Sequence, residues 1–205
     1  MYLPKHFAQT DIAALHALMD AHPLATLVTH GPEGIDANHV PLHLDAGASP
    51  NGTLRGHVAR ANPLARAAAV DVEILAIFQG PQSYISPTSY ATKAEHGKVV
   101  PTWNYTAVHA WGRLRLIDDP QWLLAQVRTL TTTHEAALPH PWQVSDAPAD
   151  YIEKILGAIV GIEIVIDRLV GKWKVSQNQP PVNQASLVAA LAGQPMAELI
   201  RQQQQ

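Results

Sequence analysis

The chain has 205 residues, 47% hydrophobic and 15% charged, with a formal net charge of −3 at pH 7. That composition fits one globular domain, or one with an appendage, long enough to bury a core, and it excludes a disordered chain. The negative charge argues against a surface that binds nucleic acid by neutralising phosphates, and the absence of cysteine excludes disulfides, thiolate metal sites and thiol nucleophiles.

The opening residues, MYLPKHF, lack the basic-then-apolar pattern of a secretory signal, and no apolar run approaches membrane length, so a cytoplasmic protein is expected. A first helix is predicted from Thr10, whose hydroxyl can cap it, with Ile12, Leu15 and Met19 on one face. Leu24–His30 and Asp36–Leu44 read as strands joined by the turn Gly31-Pro-Glu-Gly34. In the second of these, Asn38, Val40, Leu42 and Leu44 share one face, while His39, Pro41 and His43 share the other. Pro41 inside a strand marks an edge, or a bulge that something other than a neighbouring strand approaches. Thr53–Val58 is a third strand, residues 62–70 a short helix, and residues 72–78 a continuous apolar strand.

The stretch from Gly80 to Tyr105 packs three Tyr, one Trp, three Pro and a cluster of Ser, Thr and Asn into 26 residues. A core strand would not carry that mixture, and a flexible linker would not carry the aromatics. Aromatics interleaved with hydroxyls and amides line small-molecule pockets, although a long loop packed by its own side chains has the same look. Beyond it, Ala107–Ile117 alternates, with His109, Trp111, Arg113 and Arg115 on one side and Val108, Ala110, Leu114 and Leu116 on the other. Asp119-Pro120 is a helix start, and the helix carries Leu123, Val127 and Leu130 at helical spacing. A short helix near Asp150–Leu156 leads into the alternating strand Ile159–Asp167, and GKWKVS at Gly171–Ser176 ends the main domain. The tail from Asn183 holds two short helical patterns and a run of four Gln that reads as disordered. Many short strands with few helices favour a closed barrel with peripheral helices, residues 1–179, followed by a helical tail, residues 180–205.

Two patterns suggest ligands. In Arg55-Gly-His-Val-Ala-Arg-Ala-Asn-Pro63 a strand runs into a helix start, where His57, Arg60 and Asn62 supply donors beside unpaired backbone N–H groups. That is a phosphate cradle or, equally, solvated surface. His39 and His43 lie about 13 Å apart along a strand at roughly 3.3 Å per residue. One zinc cannot bridge them without a third element, and no metal is expected.

Several ordered motifs together resemble a known family: MYLPKHF, NHVPL at Asn38–Leu42, GHVARANP at Gly56–Pro63, GPQSYISPTSY at Gly80–Tyr90, VPTWNY at Val100–Tyr105 and GKWKVSQNQ at Gly171–Gln179. The chain resembles the PaiB-type FMN-binding negative transcriptional regulators of the flavin-binding split-barrel superfamily, related to pyridoxamine-phosphate oxidases. One departure is Ser89, where the family usually has Trp. The resemblance implies a mainly β, six-stranded split barrel that dimerises and holds FMN at the subunit interface. It implies His57, Arg60 and Asn62 at the phosphate, Asn38, His39 and Val40 along the ring edge, and Tyr90, Thr102, Trp103 and Asn104 lining the cleft. Lys172 and Gln177 are further candidates near the same ligand. Trp103 has an alternative reading as a core or interface anchor, and Trp111 and Trp173 read as packing residues. Three functions remain open: a regulator that acts indirectly, a flavin-dependent oxidoreductase or flavin reductase using a nicotinamide cofactor, and an FMN module acting through a protein partner. Direct, sequence-specific DNA binding is not expected, because 14 Lys and Arg are spread over the whole chain.

Overall fold

A computed structural model describes residues 1–31, 34–67 and 72–203 of the chain. After a 3-10 turn at Lys5–Phe7 the elements are β1 (Ala8–Gln9), α1 (Ile12–Ala21), β2 (Leu24–Gly31), β3 (Gly34–Pro41), β4 (His43–Asp45), β5 (Thr53–Ala59), α2 (Leu64–Ala67) and β6 (Val72–Ile85). There follow α3 (Lys93–His96), β7 (Thr102–Ile117), α4 (Pro120–Glu135), α5 (Ala149–Leu156), β8 (Ile159–Lys174), α6 (Pro181–Ala190) and α7 (Pro195–Gln202). The strands form one sheet in the order β3-β2-β6-β7-β8-β5-β4, with β1 added to β8. The fold class is the expected one, mainly β with peripheral helices, but eight strands replace six. One extra strand is the two-residue β1, and the other arises because the predicted strand Asp36–Leu44 breaks into β3 and β4.

That break leaves β3 and β4, the two ends of the strand order, one residue apart in the chain, at Leu42. Pro41 has no N–H to continue a ladder. The next amide, Leu42 N, donates instead to the Pro23 carbonyl at 2.9 Å. Val40, Leu42 and Leu44 are buried on one face while His39 and Pro41 are exposed, as the alternation predicted.

The chain clusters into two compact units. The first comprises Met1–Ala21, Gln79–His109 and Val170–Gln205, and the second His22–Phe78 and Ala110–Leu169. In the second, β2 pairs antiparallel with β3 from Leu24↔Pro41 to Gly31↔Gly34, and β5 pairs with β8 from Thr53↔Val165 to Ala59↔Ile159. Pro32 and Glu33 of the predicted turn lie outside the described residues, as do residues 68–71 at the end of the predicted helix 62–70. Leu27, Leu54, Ile74, Phe78, Ile162 and Ile164 form the core, each 2% exposed or less. Gly112 has no room for a side chain, since a Cβ there would press into the Val165 carbonyl and Ile164. Asp119 caps α4 as predicted, its Oδ1 accepting from Gln121 N at 2.8 Å.

In the first unit, α1 buries Leu15, Leu18 and Met19. Its cap differs from the prediction. Asp11 Oδ1, not Thr10, accepts from an early helix amide, Ala13 N at 3.1 Å. The predicted loop from Gly80 to Tyr105 is shorter than its composition suggested, because β6 runs on to Ile85 and β7 begins at Thr102. Burial alternates through Ile74, Ala76, Phe78 and Gly80, then resumes out of phase at Ser83 and Ile85, and the phase change at Pro81–Gln82 hid the strand. Likewise β8 takes in the GKWK segment. In the tail, α6 and α7 contribute Leu187, Met196 and Ile200 to the core of this unit. Gln204 and Gln205, in the Gln run, lie outside the described residues. Among the described residues no helix is long and apolar enough to cross a membrane.

Candidate functional site

The site residues expected from the sequence fall into two groups, one in each unit. In the second unit the β3 edge and the β5–α2 turn meet. Asn62 Nδ2 donates to Asn38 Oδ1 at 2.8 Å, across 24 residues of chain. Asn38 Nδ2 in turn donates to Asp36 Oδ2 at 3.1 Å, and Asn62 Oδ1 accepts from Leu64 N at 2.8 Å, capping α2. His39 stands exposed beside them, while Val40 points into the core. β3 ends the strand order, so among the described residues its backbone has one edge unpaired by a further strand. Gly56 on β5 lets this junction close up: a Cβ there would sit 2.8 Å from Leu42 Cδ2 and 3.0 Å from the Pro41 carbonyl.

His57 and Arg60 are committed within the fold. The Nδ1 of His57 lies 2.9 Å from Gln126 Oε1 on α4, and Gln126 Nε2 is buried with no hydrogen-bond partner. Arg60 clamps Asp118 with Nη1 and Nη2, at 2.8 and 2.7 Å, while its Nε reaches the Gly157 carbonyl at 3.0 Å and Nη2 the Ile159 carbonyl at 2.9 Å. The hydrogen bond to Asp118 raises the Arg60 pKa and lowers that of Asp118, against a smaller opposing effect of burial. Four acceptor contacts leave this guanidinium one N–H for any phosphate.

In the first unit, Tyr90, Thr102 and Asn104 line a cleft of about 230 Å³ with Lys98, Val99, Val100, Lys174, Ser176, Asn178 and Gln179. Asn104 is 1% exposed and donates through Nδ2 to Ser176 Oγ at 2.7 Å. The Lys174 ammonium donates to Thr102 Oγ1 and to the Trp103 carbonyl. Burial raises the Tyr90 pKa above its ordinary value. The remaining candidates stand apart from the cleft. Lys172 is 7% exposed, donates to the Tyr2 carbonyl at 3.0 Å, and lies 5.2 Å from the centre of the Tyr105 ring. Gln177 closes the turn after β8, accepting from Val175 N and donating to the Trp173 carbonyl. Trp103 is 54% exposed and meets Tyr84 edge-on at 5.8 Å. Trp173 is buried, and Trp111 carries the Arg168 guanidinium 3.6 Å above its ring, so both pack.

Sequence reasoning missed Lys98, Lys174, Ser176, Asn178 and Gln179. Four of the five sit within the KWKVSQNQ motif, where Lys172, Lys174 and Ser176 are spaced two apart; the end of β8 at Lys174 and the turn after it put Lys174 and Ser176, but not Lys172, in the cleft. Clefts of about 610 and 490 Å³ in the second unit flank α4 near Arg128 and Val144. They are larger, but their walls are mainly solvent-facing side chains, and none of the candidate residues lines them.

Over residues 1–168 the chain matches the family described as "Putative FMN-binding domain". The chain belongs to this FMN-binding family. A protein of Emericella nidulans, uncharacterised, is 35% identical over 243 residues, covering 98% of this chain and 97% of that one. The Bacillus subtilis protein named protease synthase and sporulation protein PAI 2 is 27% identical, with 93% and 89% covered. Among solved structures, the FAD and heme binding protein of Mycobacterium smegmatis superposes with a TM-score of 0.61 at 17% identity, covering 82% of this chain and 73% of that one. That likeness shows the split-barrel fold. The PaiB-type resemblance read from the motifs therefore holds, and the cofactor is a flavin.

The donor set fits such a group. A flavin ring needs backbone and amide partners along its polar edge, of the kind that the β3 edge and Asn38 would offer, with Asn62 and the buried, unpartnered Gln126 Nε2 as further donors beside His57. FMN, when bound, would bring redox chemistry of its own, and these residues would bind and orient it.

Proposed function

We propose that this protein is an FMN-holding regulatory flavoprotein of the PaiB type, acting through a protein partner and not by reading DNA. The observation that carries the reading is the Asn38–Asn62 hydrogen bond, which unites the residues expected at the ring edge with those expected at the phosphate end. Asn38, His39 and the β3 backbone would meet the ring edge, with His57, Asn62 and the last N–H of Arg60 toward the ribityl phosphate. Tyr90, Thr102, Trp103, Asn104, Lys172 and Gln177 belong to the proposed lining of the cofactor cleft in the dimer; of these Trp103 has the most exposed surface to offer. The regulatory role is supported by the name of the Bacillus subtilis relative, and the indirect mode by a net charge of −3. A cytoplasmic location suits that role.

The assembled form is a homodimer. Trp103, Tyr84 and Val100 expose 54%, 53% and 73% of their surfaces within one unit, an aromatic and apolar patch of the kind that interfaces cover. The visible spectrum of freshly purified protein, followed by FMN titration of the apo-form, tests the reading. Flavin bands and saturable binding that falls in Asn38→Ala are expected. A protein that takes up no flavin would refute it, and bleaching of the bands by NADH or NADPH would replace the regulator with an oxidoreductase.

A further inference from the structure

The cleft of the first unit is chemically one-sided. Lys98 and Lys174 line it with Tyr90, Thr102, Asn104, Ser176, Asn178 and Gln179, and no carboxylate does. Two of its hydroxyls, those of Thr102 and Ser176, already act as acceptors. Thr102 Oγ1 accepts from the Lys174 ammonium and Ser176 Oγ accepts from Asn104 Nδ2, so each keeps its own O–H to give. Lys174 uses two N–H groups on Thr102 and the Trp103 carbonyl, which fixes its head and leaves a third. Burial lowers the Lys174 pKa, Tyr105 raises it and Lys172 lowers it again, the setting of a cation that gains from an added anion.

The wall is also strained. Ser176 has φ of 62°, the one non-glycine residue among those described with positive φ, and it is 3% exposed. Left-handed backbone at a non-glycine residue persists only where its surroundings enforce it, and such residues cluster at ligand sites. Here Gln177 closes the turn from one side, and Gln184 Nε2 donates to the Ser176 carbonyl from α6. Asn183 ties the two walls, accepting from Thr92 N at 3.1 Å and donating to Gln179 Oε1 at 3.1 Å. A volume of about 230 Å³ within one chain suits a small group.

From this juxtaposition we infer that the cleft between β7 and the end of β8 is an oxyanion site for a phosphate group, with Lys174, Lys98, Thr102 and Ser176 as its donors. The phosphate belongs to a free small molecule, because the flavin reading on which this inference rests puts the FMN phosphate at His57, Asn62 and Arg60. Inorganic phosphate is titrated calorimetrically into the protein loaded with FMN and, separately, with riboflavin, which has the same ring and no phosphate. Uptake in both forms supports the assignment, and uptake in the riboflavin form alone, which would mean that the FMN phosphate competes for the same place, overturns it. Lys174→Met weakens this binding about tenfold or more, the value of a charge-assisted hydrogen bond. Lys98→Ala, an exposed change that leaves the fold intact, weakens it severalfold. No uptake in either form, or uptake that Lys174→Met and Lys98→Ala leave unchanged in folded protein, overturns the assignment. The FMN reading fails separately, through loss of flavin binding itself.

Discussion

Replacing Asn62 tests the junction on which the flavin reading rests. Its side chain makes two hydrogen bonds: Oδ1 caps α2 by accepting from Leu64 N, and Nδ2 donates to Asn38 Oδ1, both at 2.8 Å. Asn62→Ala removes both. Losing a cap costs about 1 kcal/mol and a part-buried neutral hydrogen bond about 1 kcal/mol more. The sum of about 2 kcal/mol lowers the melting temperature by about 4–8 °C in a chain of this size. Asn62→Asp separates the two contributions, because a carboxylate still accepts from Leu64 N but has no hydrogen for Asn38. It should therefore recover about half the lost stability while the tie to β3 stays broken. Thermal unfolding measures the first effect, and fluorescence titration of the apo-protein with FMN measures the second. If the junction belongs to the flavin site, both variants lose FMN affinity, and Asn62→Asp, despite its better stability, loses at least as much as Asn62→Ala. Equal FMN affinity in wild type and both folded variants would remove Asn38 and Asn62 from the cofactor site.

Glu163 predicts a pH effect. Burial pushes its pKa up, but hydrogen bonds from Arg55 at 2.9 Å and Arg115 at 2.5 Å outweigh this and hold it below its ordinary 4.5. Its stabilisation is thus complete above that ordinary value and is lost as pH falls through the lower folded value, and Glu163→Gln should flatten the fall in melting temperature in that range; an unaltered acid limb would refute this. Gly112→Ala forces a Cβ against the Val165 carbonyl on β8, an overpacking that costs about 1–3 kcal/mol by chemical denaturation; a variant as stable as wild type would show that β7 and β8 separate there without cost. If the proposed homodimer forms, Trp103→Ala should loosen it in sedimentation while changing the stability of the single chain little, since more than half of its surface, 54%, is exposed in one chain. A dimer unchanged by this substitution would move the interface elsewhere.

What the sequence determined by itself was whatever repeats locally or carries an ordered motif. Alternation put Val40, Leu42 and Leu44 inside and His39 and Pro41 outside, because a strand sends neighbouring side chains to opposite faces. Asp119-Pro120 announced α4 through a cap and a preset φ, both local effects. The ordered motifs reached the family, and with it the barrel and the flavin. Tertiary structure alone decided which donors were available. Arg60 reads as a free cation in sequence, but Asp118, 58 residues away, takes two of its nitrogens. Lys172 and Lys174 look equivalent two residues apart, yet one ends on the Tyr2 carbonyl and the other in a cleft with Thr102. The strand through Pro81 was hidden because its burial changes phase, and the left-handed turn at Ser176 because it is held by Gln177 and Gln184 against the residue's own preference. Long-range partners decide whether a polar group is a brace or a binding group, and no local pattern encodes the partner's position.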